Sequence, residues 1–445
     1  MMAKKKTEKA SPFVPVEEYP YQVPENWCWV YIKSLASFVS KGTTPKGGKT
    51  AYHDNGIPFL RVENIKDDGT ISMEGIKFVT EEEHNNFLKR SQLYVGDVLV
   101  SIAGTLGKTA IVTENCVPMN TNQAIAFIRL SNKSANPKFL RLAIDVPALN
   151  NLLLSKTKVT SIPNLTLEII QNLPVPLPPL AEQQRIVDRI ESLFAKLDEA
   201  KEKAQEALES FEARRSAILR SAFSGKLTES WRKEHGKAFC WKYVRFDEVA
   251  YIRSNLVEPA EYRKMPHIAP DNIEKKTGKL LEYHTIEEDG VTSGKHHFFP
   301  GQILYSKIRP YLSKVVLVGF EGLCSADMYP IEAVGNTKFL WYQMLSDGFL
   351  VQASSAGSRS VLPKINQKEL SALKVSVTSD KYEEAEMVRI LDDFFAKETE
   401  AKEKVEVALN VIETMKKSIL SKAFRGELGT NNPEDESAEE FLKYT

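Results

Sequence analysis

Apolar residues recur at alternating spacings of three and four in two long stretches of the chain. In the first, Ile186, Leu193, Ala200 and Ala207 alternate with Ile190, Leu197, Ala204, Phe211 and Ile218. In the second, Met387, Phe394, Ala401, Ala408 and Met415 alternate with Leu391, Val405, Ile412 and Ile419, and Glu398 interrupts the series. These are the a and d positions of heptads, so each stretch predicts a long coiled-coil helix. Ile190, Leu193, Leu197, Phe211, Ile218, Leu391, Phe394, Val405, Ile412 and Ile419 are the expected core of the coil. Gly225 and Gly426 lie just past the periodic runs, where a helix stop belongs. LPVPLPPL at 173–180 is an extended lead-in, because successive prolines cannot continue a helix. About 40 residues at a rise of ~1.5 Å make roughly 60 Å of helix.

The two stretches are copies of one another. LFAKLDEAKEK at 193–203 meets FFAKETEAKEK at 394–404. Upstream, IPFLRVENI from Ile57 faces MPHIAPDNI from Met265, YVGDVLVS from Tyr94 faces FPGQILYS from Phe299, and IPNL from Ile162 faces LPKI from Leu362. Trp27 and Trp241 open the two copies. Each copy is a body of about 150 residues followed by a helix, a size that suits one domain. In the bodies, VGDVLVSI and PGQILYSKI place β-branched residues after a glycine turn, the pattern of a strand. KFLRLAIDVPALNNLLL and NTKFLWYQMLSDGFLVQ read as short helices. SKGTTPKGGKT at 40–50 and SSAGSRS at 354–360 are loops, where binding groups usually sit. The expected fold is α+β: two similar strand-rich domains separated by two long antiparallel coiled-coil spacer helices, with a pseudo-two-fold internal repeat. Packed antiparallel, the helices would hold the bodies apart at opposite ends. The expected boundaries are 1–180 and 236–380 for the bodies, 181–235 and 381–428 for the spacers, and 429–445 for an acidic tail.

Composition narrows the function. Of 445 residues, 42% are hydrophobic and 27% charged, as in a soluble globular protein. Lys+Arg and Asp+Glu both number 59. That balance argues against a uniformly basic nucleic-acid binder. By region, the bodies carry +4 and +2, the first spacer 0 and residues 381–445 carry −6. Cys28, Cys116, Cys240 and Cys324 are too far apart for a zinc ribbon or a CxxC redox motif. No apolar run approaches the roughly 18 residues of a membrane span. The basic N-terminus has no apolar stretch behind it and does not read as a signal peptide, so a cytoplasmic location is expected.

Catalytic patterns fail one by one. Gly48-Lys49-Thr50 and Gly107-Lys108-Thr109 lack the upstream glycine of a P-loop, since Thr43 and Ile102 stand there. Asp271 and Glu274 are too close for the carboxylates of a PD…ExK nuclease. Asn432-Pro433-Glu434 fails as an amino-methyltransferase loop, and His296-His297 has no partner at metal-ligand spacing. A self-contained DNA methyltransferase or nuclease is disfavoured on these grounds.

PLPPLAEQQRIVDRIESLF, followed by AILRSAFSGKLTESWR, resembles the specificity subunit of type I restriction-modification systems. SILSKAFRGELG repeats the second hallmark, whereas VTSDKYEEAEMVRIL lacks the prolines and the EQQ run of the first lead-in. The resemblance implies two target-recognition domains, each reading one half of a split double-stranded DNA site. It implies docking of two methyltransferase (modification) subunits, with restriction subunits added in the full complex. Those partners would carry the S-adenosylmethionine, ATP and Mg²⁺ chemistry, and this chain none, nor any metal. A modification-only or related defence complex and a protein-only coiled-coil adaptor are the alternatives. Phosphate contacts need Lys and Arg, while Arg and Asn can pair bidentately with guanine and adenine. The candidate DNA contacts are Thr43, Thr44, Lys46, Lys49, Ser101, Thr105, Lys156 and Lys158 in the first body. In the second they are Arg253, Asn255, Lys295, His296, Lys307, Arg309, Ser358 and Arg359.

Overall fold

The computed structural model describes residues 11–47, 51–131, 134–156, 163–357 and 363–443. Lys49, Lys158, Ser358 and Arg359 lie outside them. The chain forms two compact units, residues 1–203 with 408–445, and residues 204–407. Both cuts fall inside the long helices, Leu180–Phe223 and Lys381–Ala423. Each unit therefore holds one body and half of each helix.

Among the described residues, the first body contains ten strands: β1 (Cys28–Tyr31), β2 (Ala36–Lys41), β3 (Ile57–Leu60), β4 (Lys77–Val79), β5 (Gln92–Leu93), β6 (Val98–Ser101), β7 (Thr109–Ile111), β8 (Met119–Thr121), β9 (Ile125–Leu130) and β10 (Pro174–Leu177). They form an antiparallel ribbon β1-β10 and two sheets, β2-β9-β6-β7 and β4-β3-β8-β5, with β3 parallel to β8. Alternation along β6 explains the layering, because successive side chains point to opposite faces. Val98 and Val100 join the core beneath helices Pro137–Asp145 and Pro147–Ser155, while Leu99 faces the second sheet. Buried on both faces, the strand reads as a continuous apolar run.

The second body repeats this plan with β11 (Trp241–Arg245), β12 (Ala250–Ile252), β13 (Leu256–Val257), β14 (Pro266–Ile268), β15 (His284–Thr285), β16 (Lys295–Phe298), β17 (Ile303–Ser306), β18 (Val315–Leu317), β19 (Gly322–Cys324), β20 (Met328–Ala333) and β21 (Lys374–Thr378). The ribbon is β11-β21 and the sheets are β12-β20-β17-β18 and β13-β16-β19-β14-β15, so β13 is an addition of this copy. Ile303 and Tyr305 face one core and Leu304 the other, as in β6. Asn136 and Asn336 cap equivalent helices, each accepting the N–H of a phenylalanine at 3.3 Å.

The helices run antiparallel within each unit. Lys416 pairs with Asp198, and Lys201 with Glu413 (2.6 Å), in one unit; Arg215 pairs with Glu398 (3.6 Å) in the other. Residues that rise along one helix fall along the other. Ile190, Phe211, Leu391 and Ile412 are buried, and Leu193, Leu197, Ile218, Phe394, Val405 and Ile419 half-buried. Ala200, Ala408 and Met415 depart from the heptad expectation, because they are exposed. Glu398 goes the other way and is buried.

The expected acidic tail is also a packed element. Ala438 is buried in the first body's core at the start of a helix, Ala438–Lys443, and Arg185 pairs with Asp435. Asp435 therefore serves local ion pairing as well as net charge.

Candidate nucleic-acid interface

In the first body four loops meet at one end of the sheets. Gly42 N–H donates to Ile125 O and Thr43 N–H to Thr121 O, both at 3.0 Å. Any Cβ on Gly42 would fall 2.1 Å from the Thr121 oxygen, so the close approach requires glycine. Ile102 N–H donates to Ala124 O (2.7 Å), and Leu165 N–H to Ile102 O (3.0 Å). This brings Thr43, Thr44, Ser101 and Thr105 together. Thr44 Oγ1 bonds the Gln123 amide oxygen. Thr105 and Lys46 are exposed, with the Lys46 amine 5.1 Å from the Phe87 ring centroid. Lys156 is exposed at the end of helix Pro147–Ser155, whose Asn150 amide donates to Gly107 O (3.3 Å).

Ser101 requires a correction. It is fully buried, its Oγ donates to Thr105 O (2.6 Å) and accepts from Lys108 N–H (2.8 Å). It shapes the loop and presents nothing to a ligand. Ser306 does the same in the second body, donating to Ile308 O at 3.0 Å.

The second body gathers the equivalent loops. Lys307 N–H donates to Asp327 O (2.9 Å), Ile365 N–H to Lys307 O (2.9 Å) and Arg309 N–H to Pro363 O (2.7 Å). Asn255 is exposed and its carbonyl accepts from His297 N–H (3.2 Å). Arg309 is exposed with a left-handed backbone, φ 48°, and Ser313 at the far end of the same turn has φ 46°. Non-glycine residues rarely adopt this conformation, and such strain gathers at binding loops. Arg253 is half exposed and tied to Glu332 at 2.7 Å. The Lys307 side chain is largely buried, its amine on the Ala326 carbonyl; burial, then the neighbouring Lys364, lowers its pKa.

Two further corrections fall here. Lys295 is buried and its amine donates to Ser293 O (2.9 Å) and Oγ (2.7 Å). His296 is buried on the core face of β16; burial, then nearby Lys307, pushes its pKa down. Neither presents a side chain to a base edge: alternation along β16 turns His296 inward with Phe298, and Lys295, on the opposite face, is buried against Ser293. His297, its neighbour, takes the opposite face of the strand, packs on Tyr262 and Phe299 and meets Glu321 at 2.8 Å.

The structure adds residues that the sequence reading passed over. Lys364 lies beside Asp327 (3.3 Å), and Tyr311 is half exposed on the strained turn. The match of IPNL to LPKI had already set Lys364 opposite Asn164. Among the described residues, no group of three His, Cys, Asp or Glu could hold a metal ion. Nor is any helix there long and apolar enough to cross a membrane.

Known proteins share this architecture. The family model of the type I restriction modification DNA specificity domain matches residues 24–210 and 240–410. The EcoDI specificity subunit of Escherichia coli is 41% identical over 291 residues, 60% of this chain and 65% of that relative's own length. The EcoKI specificity subunit of Escherichia coli K12 is 23% identical over 92% of this chain and 90% of its own. A chain from a structural study of complex assembly and conformational transition in the type I R-M system superposes with a TM-score of 0.71 at 19% identity, covering 92% of this chain and all of the other. With both bodies matched and the duplicated α+β architecture in place, the chain belongs to the type I restriction-modification DNA specificity family.

Proposed function

We propose that this chain is the DNA-reading subunit of a type I restriction-modification complex. Each body reads one half of a split target, and the spacer helices set the gap. One observation carries the reading: the two bodies assemble the same loop end from the same backbone hydrogen bonds but with different side chains. Equal scaffolds with unequal surfaces suit two unlike half-sites, and hence an asymmetric target. Specificity comes from the few side chains that reach base edges, of which Arg309 and Asn255 are the best placed chemically.

The chain itself is non-catalytic on this reading. Two methyltransferase subunits dock on the spacers and adjoining faces, and restriction subunits complete the assembly. S-adenosylmethionine, ATP and Mg²⁺ are used by those partners, in the cytoplasm. The small positive excess of each body supports a role inside a complex, with partners supplying much of the phosphate neutralisation. Deleting this chain from its host and mapping DNA methylation tests the proposal. A split, asymmetric methylated motif should disappear; a motif that persists contradicts it.

A further inference from the structure

The two bodies build one corner of the loop end in opposite ways. In the first, Ile102 bonds Ala124 and Leu165 through its backbone; in the second, Lys307 bonds Asp327 and Ile365 in the same manner. Ile102, Ala124 and Asn164 thus stand where Lys307, Asp327 and Lys364 stand. None of these three first-body residues carries a charge, and Ile102 is buried in the apolar core. The second places two amines against one carboxylate oxygen: Asp327 Oδ1 is 3.3 Å from Lys364 Nζ and 3.9 Å from Lys307 Nζ. The buried Lys295 amine is within electrostatic range of the same carboxylate. Lys307 is mostly withdrawn from water, and burying charge is costly unless it is balanced. A single carboxylate does not balance the cluster, so the corner keeps a positive excess at the end where DNA would lie.

We propose that Lys307 and Lys364 form a seat for one backbone phosphate of duplex DNA, in the second body only, with Asp327 as the internal counter-charge that the phosphate displaces. This rests on the DNA-reading function above. It makes the two half-sites unequal in kind, the second being held by a stronger salt-sensitive contact.

The test uses the complete complex and a duplex carrying its mapped methylation site. Binding is measured across salt concentrations for the wild type, Lys307→Met with Lys364→Gln, and Asp327→Asn. Methionine preserves the apolar stem of Lys307. The lysine variant should lower the steepness of log K against log salt by about 0.9, the loss of one phosphate contact, with the methylated motif unchanged. Asp327→Asn should bind more tightly than wild type, because the competing carboxylate is gone. An unchanged slope in the lysine variant overturns the seat. So does a change of motif in the second half-site, which would make the lysines base readers. Weakening by Asp327→Asn equal to that of the lysine variant also overturns it, since the cluster would then be internal ion pairing. Failure of the underlying reading looks different: the wild-type complex would bind DNA without sequence preference.

Discussion

Two buried glutamates, one at the start of each spacer, show how the same fold can be held with opposite electrostatics. Glu182 accepts from the Trp27 indole (2.8 Å) and the Asn431 amide (3.2 Å). Burial is the largest influence on it and raises its pKa. Glu383 accepts from the Trp241 indole (2.8 Å), Thr228 (2.6 Å), Thr378 (3.1 Å) and the Arg232 guanidinium. Burial opposes its ionisation, but these bonds together outweigh it and lower its pKa. The lowered value makes Glu383 stabilising above the unfolded carboxylate range, and that stability is lost as pH falls through the folded value. Glu182 has the reverse sign: its contribution is full at low pH and is lost as pH rises through its raised value. Glu383→Gln should cost about 3–5 kcal/mol at neutral pH, because it strands Arg232. Glu182→Gln should cost clearly less, and only the Glu383 deficit should shrink on acidification. Urea unfolding at two pH values checks both. Glu182 was visible in the sequence within AEQQ, whereas Glu383 hid in a lead-in without that run. The candidate DNA contacts were legible as loops but not as individuals. Ser101 and Lys295 have polar side chains that the fold uses internally, His296 is turned inward, and which face of a strand a residue takes depends on register.

At the scale of the helices, most of the pattern could be read directly, because heptads report burial along a seam. Ala200, Ala408 and Met415 lie exposed off the seam, and Glu398 enters it because a partner reaches it from the other helix. Arg215 lies 3.6 Å from Glu398 and 4.3 Å from the Phe395 ring centroid, and donates to Thr277 O at 2.8 Å. It therefore ties the coil to its own body. Removing one partner of a buried pair is far worse than removing both. Arg215→Met should destabilise by about 3–5 kcal/mol, while Arg215→Met with Glu398→Leu should recover to within about 1 kcal/mol of wild type. A double-mutant cycle by urea unfolding measures this, and equal losses in single and double variants would count against the pairing. Deleting one heptad from each helix should shift or abolish the preferred gap in the DNA target. Methylation by the reconstituted complex on a series of gap lengths reads it out; an unchanged optimum contradicts the ruler role.

For the whole molecule, the internal repeat was the most legible feature, since backbone-determining residues recur in both copies. What the repeat could not reveal was the division of labour among side chains at the loop ends, where the copies differ most. Ile102 against Lys307 and Asn164 against Lys364 are single substitutions in sequence, yet they exchange an apolar corner for a charged one. The division of the chain into two units, each with one body and half of each spacer, also follows from antiparallel packing rather than from chain order. The neutral total charge conceals mildly basic bodies and an acidic end that is folded into the first unit. The central claim is that the bodies read separate halves of one target. Exchanging residues 1–175 for the same region of a relative, then mapping methylation by the assembled complex, tests it most directly. One half of the motif should change while the other half and the gap stay as they were; a change in both halves would contradict the claim.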